Sequence, residues 1–186
     1  GLLFKSTDRG GSWRQVYSSA GVAQVVVSPA FATDHMAFIN AYNRVQRSSD
    51  GGETWAELPF WSDYRHSARL LAISPNFAAD HALYAVGSEI YYSHDAGSSW
   101  QVAAVSPPLN TNDPNPWWAE HLTVSPANRL YLVVRRYDAV SPYRRHSQLW
   151  TSADRSVTWQ QVAGAPDLPI AGLAAGPHSG DGEAIY

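Results

Sequence analysis

The chain has no cysteine, one methionine and one lysine. Without thiols it can form neither disulfides nor thiolate metal sites, so a disulfide-stapled miniature scaffold and a Cys-ligated zinc module are excluded. Lys5 is the sole lysine, and the other twelve basic residues are arginines. Arginine offers planar, bidentate and stacking contacts where lysine offers a mobile point charge. A net charge of −3 provides no global basic field, so nucleic acid is not an expected partner. No apolar run approaches the length of a membrane span, and direct membrane insertion is not expected either. Charged residues make up only 16% against 45% hydrophobic, which excludes disorder. The first residues, Gly1 to Phe4, and the last, Ala184 to Tyr186, both read as strand interiors, the expectation for a piece of a longer protein.

What is present is repetition. One phrase occurs four times: STDRGGSW at 6–13, SSDGGETW at 48–55, SHDAGSSW at 93–100 and SADRSVTW at 152–159. Its aspartates, Asp8, Asp50, Asp95 and Asp154, are 42, 45 and 59 residues apart. A second phrase keeps step with it, as VVVSPAFATDHMAFI at 25–39 and LAISPNFAADHALYA at 71–85, shortened to LTVSPANRLYLV at 122–133.

Between these phrases lie short runs rich in Val, Ile, Leu, Tyr and Trp, separated by turn signals, and no stretch has a convincing helical period. Each unit supplies four strand candidates; in the second they are 23–28, 36–42, 44–48 and 55–58. Four strands repeating about every 40–45 residues is the spacing of a β-propeller blade. The expected fold is therefore all-β, a propeller of four-stranded antiparallel blades. The expected division is a half blade at 1–20, blades at 21–61, 62–106 and 107–164, and a half blade at 165–186. Such a register suits a fragment of a larger ring, with a closed four-bladed propeller as the alternative.

The phrase S-x-D-x-G-x-[ST]-W resembles the Asp-box, or BNR repeat, of sialidases, sortilin-type receptors, xyloglucan-degrading glycosidases and photosystem assembly factors. It is carried here by Ser6, Asp8, Gly10 and Trp13; Ser48, Asp50, Gly52 and Trp55; Ser93, Asp95, Gly97 and Trp100; and Ser152, Asp154 and Trp159. The physics of the residues suggests a pinned hairpin: the aspartate accepts backbone N–H groups, glycine takes a positive φ, and tryptophan packs beneath. The fourth copy has Ser156 where the others have glycine, so its turn is expected to be strained or differently shaped. In related families the boxes lie away from the active face, which implies a structural role. Asp34-His35 and Asp80-His81 are expected to fix turns rather than ligate metal, because they recur on different hairpins.

Binding residues are sought where the period is broken, on loops of one face. Segments 59–68, 106–118 and 135–147 offer Trp61, Tyr64, Arg65, Trp117, Trp118, Arg135, Arg136, Tyr143, Arg144 and Arg145, with His66, Tyr137 and His146 beside them. Aromatic rings beside arginines suit a glycan, a carboxylate-bearing ligand or a protein. No catalytic pair stands out among Asp63, Asp113, Glu120 and Asp138, and a glycosidase needs two facing carboxylates. The Arg-Ile-Pro segment usual in sialidases is missing. The sequence thus suggests a non-catalytic, extracytoplasmic binding or scaffold propeller with a protein or glycan partner and neither cofactor nor metal. The alternative is part of a glycoside hydrolase whose catalytic residues lie outside this stretch.

Overall fold

The computed structural model describes residues 1–19, 21–42, 44–59, 68–109, 115–140, 144–167, 169–179 and 182–186. Three four-stranded antiparallel sheets follow one another along the chain, each a simple up-and-down meander. The first joins β3 (Val22–Val27), β4 (Ala37–Ala41), β5 (Arg44–Ser48) and β6 (Ala56–Glu57). The next joins β7 (Leu70–Ile73), β8 (Leu83–Val86), β9 (Ile90–Ser93) and β10 (Gln101–Val102). The last joins β11 (Trp118–Val124), β12 (Leu130–Tyr137), β13 (Arg145–Ser152) and β14 (Gln160–Gln161). A two-stranded hairpin precedes them, β1 (Leu2–Lys5) with β2 (Arg14–Ser18), and another follows, β15 (Ala175–Ser179) with β16 (Gly182–Ile185).

Strand alternation explains how the sheets stack. Successive side chains on a strand face opposite sides, so a sheet covered on both faces needs apolar residues at every position. Strands β8 and β9 are buried throughout. Leu83, Ala85 and Tyr91 enter one core with Phe38, Val45 and Phe77, between the β3–β6 and β7–β10 sheets. Tyr84, Val86, Ile90 and Tyr92 enter a second core with Leu130, Leu132, Val134 and Trp159, between β7–β10 and β11–β14. The innermost strands lie side by side, with β7 flanked by β3 and β11. Polar clasps reinforce this contact. The Gln24 amide on β3 donates to the Leu71 carbonyl at 2.8 Å and accepts from the Leu71 N–H at 2.7 Å.

The terminal hairpins remain separate two-stranded sheets. Among the described residues no sheet joins β1 to β16, as closure into a four-bladed ring would require. Two further differences from expectation have local causes. The two full-length SP phrases carry single helical turns, α1 (Phe31–Asp34) and α2 (Phe77–Asp80), too short to leave a period in the sequence. Strands β11, β12 and β13 also run past their expected ends, so Trp118, Arg135, Arg136 and Arg145 sit on strands rather than loops.

Candidate functional site

The repeated phrase forms the hairpins β1–β2, β5–β6, β9–β10 and β13–β14, all at one end of the sheets. In the second box Asp50 Oδ1 accepts the Glu53 and Thr54 N–H groups at 3.0 Å each, and Oδ2 accepts the Thr54 hydroxyl at 2.6 Å. Ser48 Oγ donates to Asp50 Oδ1 at 2.8 Å and accepts the Gly52 N–H at 2.7 Å. The same pattern holds Asp8 to Ser12, Asp95 to Ser99 and Asp154 to Thr158. Hydrogen bonds to an ionised carboxylate favour its charged form. The Ser12 hydroxyl and amide, with Ser6, accordingly lower the Asp8 carboxyl to about 2. Asp50 is held lower still by Thr54 and Ser48. Burial opposes the effect at Asp95 and Asp154, yet the combined hydrogen bonds still lower both.

Each turn places two consecutive residues at positive φ, and the second is Gly10, Gly52, Gly97 or Ser156. Ser156 keeps this shape, at φ 75°, so the fourth turn is strained rather than remodelled. Its hydroxyl accepts the Trp159 indole N–H at 3.1 Å. Trp100 and Trp159 are buried at 8% and 3% exposure, each against the sheet before its own, whereas Trp13 is 64% exposed. Trp55 meets Tyr17 of β2 edge-on, with ring centroids 6.0 Å apart.

The Asp-His phrases dock onto these turns. Asp34 accepts the Ser28 hydroxyl at 2.5 Å and the Met36 N–H at 2.9 Å, and Asp80 likewise accepts Ser74 and Ala82. His35 and His81 take left-handed φ values of 54° and 49°, and their carbonyls accept the N–H groups of Gly51 and Ala96.

The other end of the β11–β14 sheet carries the arginines, and register separates them. Arg136 pairs with His146 across β12 and β13, and Arg135 with Ser147, so the two sets occupy opposite sheet faces. On the Arg135 face, Glu120 bridges Arg135, at 3.4 Å, and Arg145, which also donates to the Ile170 carbonyl at 3.1 Å. Arg135 lies over the Tyr137 ring at 5.2 Å, and Arg69 lies over Trp118 at 5.2 Å.

On the Arg136 face the guanidinium stacks on Trp117 at 4.8 Å. His146 is clamped by two carboxylates, Asp167 at Nδ1 (2.7 Å) and Asp138 at Nε2 (2.9 Å). Asp167 first, then Asp138, raises the imidazole's affinity for its proton, and His146 in turn lowers Asp167. Asp167 Oδ1 also accepts the Ser147 N–H at 2.8 Å. A cavity of about 210 Å³ opens here, lined by Trp117, Arg136, Gln148, Gln161, Asp167 and their neighbours.

Trp117, Trp118, Arg135, Arg136, Arg144 and Arg145 thus gather at one end of one sheet, split between its faces. Arg144 is exposed, and its carbonyl accepts the Asp138 N–H at 2.9 Å. Trp61, Tyr64, Arg65 and Tyr143 lie outside the described residues, as do His66, Asp63 and Asp113. Asp167, Gln148 and Gln161 were not foreseen, since none falls in a repeated phrase or an aromatic-arginine loop. The carboxylates of Asp138 and Asp167 sit on opposite ring nitrogens and do not converge. Among the described residues no His, Cys, Asp or Glu cluster could hold a metal ion. Nor is any helix there long and apolar enough to cross a membrane.

A family model described as sortilin, neurotensin receptor 3, matches residues 43–165, and one for the BNR-Asp box repeat matches residues 3–16. No curated protein matches the chain. Among solved structures it is similar to the GH74 xyloglucanase from Xanthomonas campestris, at 16% identity and a TM-score of 0.67, over 98% of this chain and 32% of that one. It is similar to the Niastella koreensis GH74 enzyme at 18% identity and a TM-score of 0.57, over 86% of this chain and 25% of that one. YCF48 from Cyanidioschyzon merolae is similar at 14% identity and a TM-score of 0.56, over 93% of this chain and 53% of that one. The chain spans about a third or less of the two enzymes and about half of YCF48. At these identities the likeness shows the fold alone, a β-propeller.

Proposed function

Because this chain belongs to the sortilin (Vps10) family, we propose that it is a binding or scaffold propeller, acting without catalysis outside the cytoplasm. It engages a protein or a glycan through the loop face opposite the Asp-box hairpins, whose role is to clasp the sheets. The matched family is described as that of a receptor, which favours recognition over turnover. The observation that carries this reading is the end of the β11–β14 sheet away from its Asp-box hairpin, where arginines stack on Trp117, Trp118 and Tyr137 beside a polar cavity. Such pairs present planar surfaces with oriented donors.

The acids there are already engaged. Glu120 holds two arginines, and Asp138 and Asp167 hold His146. A role as part of a glycoside hydrolase, with its catalytic residues elsewhere, is favoured only by the fold shared with the GH74 enzymes.

Glycan and peptide arrays probed with the wild type and with a Trp117→Ala/Trp118→Ala variant test the proposal. The expected result is a ligand signal in the wild type that the variant loses, with both proteins melting alike. Equal signals would count against it, and hydrolysis of xyloglucan or sialosides by the full-length protein would favour the enzyme.

A further inference from the structure

We propose that His146 is a proton-operated latch at the end of the β11–β14 sheet: as an imidazolium it fastens Asp138 and Asp167 together, and on losing its proton it keeps Asp167 and lets Asp138 go. The device is independent of any ligand that this end binds.

The geometry calls for the charged ring. Nδ1 meets Asp167 at 2.7 Å and Nε2 meets Asp138 at 2.9 Å. An ionised carboxylate only accepts, so both ring nitrogens must donate, and only the imidazolium carries two N–H groups. The neutral ring carries one. Deprotonation therefore turns a lone pair toward one of the two carboxylates, and that contact breaks.

Which contact breaks follows from what else holds each acid. Asp167 Oδ1 accepts the Ser147 N–H at 2.8 Å, and the Arg136 charge also favours its ionised form. These partners keep Asp167 beside Nδ1 whatever the charge of the ring, so the remaining proton belongs there. The Asp138 carboxylate has no other partner among the described residues. Its side chain is 39% exposed, so water can take the place of Nε2. The neutral ring is thus the Nδ1–H tautomer. In that state the end of β12 is released from the segment after β14, which stays on β13 through Ser147.

Other charges nearby are accounted for. Arg136 lies opposite His146 in the β12–β13 register, and exposed Arg144 shares that face by strand alternation. Glu120, Arg135 and Arg145 form their own cluster on the opposite face. Trp117 and Gln161 beside the ring are neutral. On the β7–β10 sheet, Arg69 lies over Trp118 and Glu89 accepts the Tyr91 hydroxyl at 3.0 Å. Asp167 and then Asp138 raise the affinity of the ring for its proton. The latch is therefore complete below the ordinary value near 6.5 and opens as pH climbs through the raised one.

Long-range ¹H–¹⁵N spectra of the whole chain test this across a pH titration, with His146 assigned by its absence from His146→Gln. The expected result is an imidazolium below about pH 6.5, and a neutral ring protonated at Nδ1 above the midpoint. Asp167→Ala should lower that midpoint further than Asp138→Ala. Urea denaturation gives a second readout. Asp138→Ala should be less stable than the wild type below the titration midpoint and no less stable above it, whereas Asp167→Ala should be less stable on both sides. A neutral ring protonated at Nε2, titration at or below the ordinary value, or an Asp138→Ala deficit that persists above the midpoint would overturn the latch. The tautomer is read in the wild type, so the proposal stays falsifiable even where a variant fails to fold.

Discussion

At Gly97 the repeated turn touches its neighbour most closely. A Cβ built there would lie 2.4 Å from Leu58 Cδ1, and the backbone has φ +83°. Leu58 is itself buried, so it has little room to yield. Gly10 has the same left-handed backbone, at φ +92°, but its nearest atom is Trp13 Cζ2 at 3.9 Å. Both glycines avoid the strain of positive φ, and only one is also a packing requirement. Gly97→Ala should therefore lose about 1–3 kcal/mol more stability than Gly10→Ala, the usual cost of overpacking. Chemical denaturation of the two variants measures the difference directly. Ser156 shows that the φ requirement alone can be met by another residue, whose hydroxyl then holds Trp159.

At the scale of the element, the sheets are coupled by a few polar clasps beside their apolar faces. The Gln24 amide closes a two-bond ring on the backbone of Leu71, which is buried. Gln24→Ala would leave both groups of that peptide unpaired, at a cost of about 1–3 kcal/mol. Faster amide exchange at Leu71, together with a lower urea midpoint, would confirm the clasp; unchanged exchange there would refute it. Strand spacing and turn chemistry made the four-stranded units legible in the sequence, because period-two apolar runs and D-x-G turns are local signals. The site was legible only in part. Trp117 and the arginines stood out as an interruption of the period, but their division between two faces depends on cross-strand register. Asp167 comes from a connecting segment with no repeated phrase, and only the tertiary structure brings it to His146 and Ser147.

At the scale of the whole molecule, four carboxylates of one kind are tied to four hairpins. Each is lowered in the folded state relative to an unfolded value near 3.9. Groups with depressed native pKa values stabilise the fold above their unfolded pKa and lose that contribution as pH falls through the native one. Stability should thus hold above about pH 4 and fall steadily toward about pH 2, where Asp8 titrates, with Asp50 contributing still lower. Urea midpoints followed from pH 5 to pH 2 report the slope, and Asp50→Asn should flatten it. His146 has the opposite sign. Its raised pKa makes the tie to Asp138 and Asp167 complete below its ordinary value near 6.5, and the tie is lost as pH climbs through the raised one.

Trp100 and Trp159 each lodge in the sheet ahead, never in the one behind, and Trp13, with no sheet ahead of it among the described residues, stands in solvent. Such a stack has a head and a tail. A copied unit inserted anywhere in the series would arrive with its own plug and find a socket waiting, so the architecture can lengthen by duplication without any new joint having to be invented.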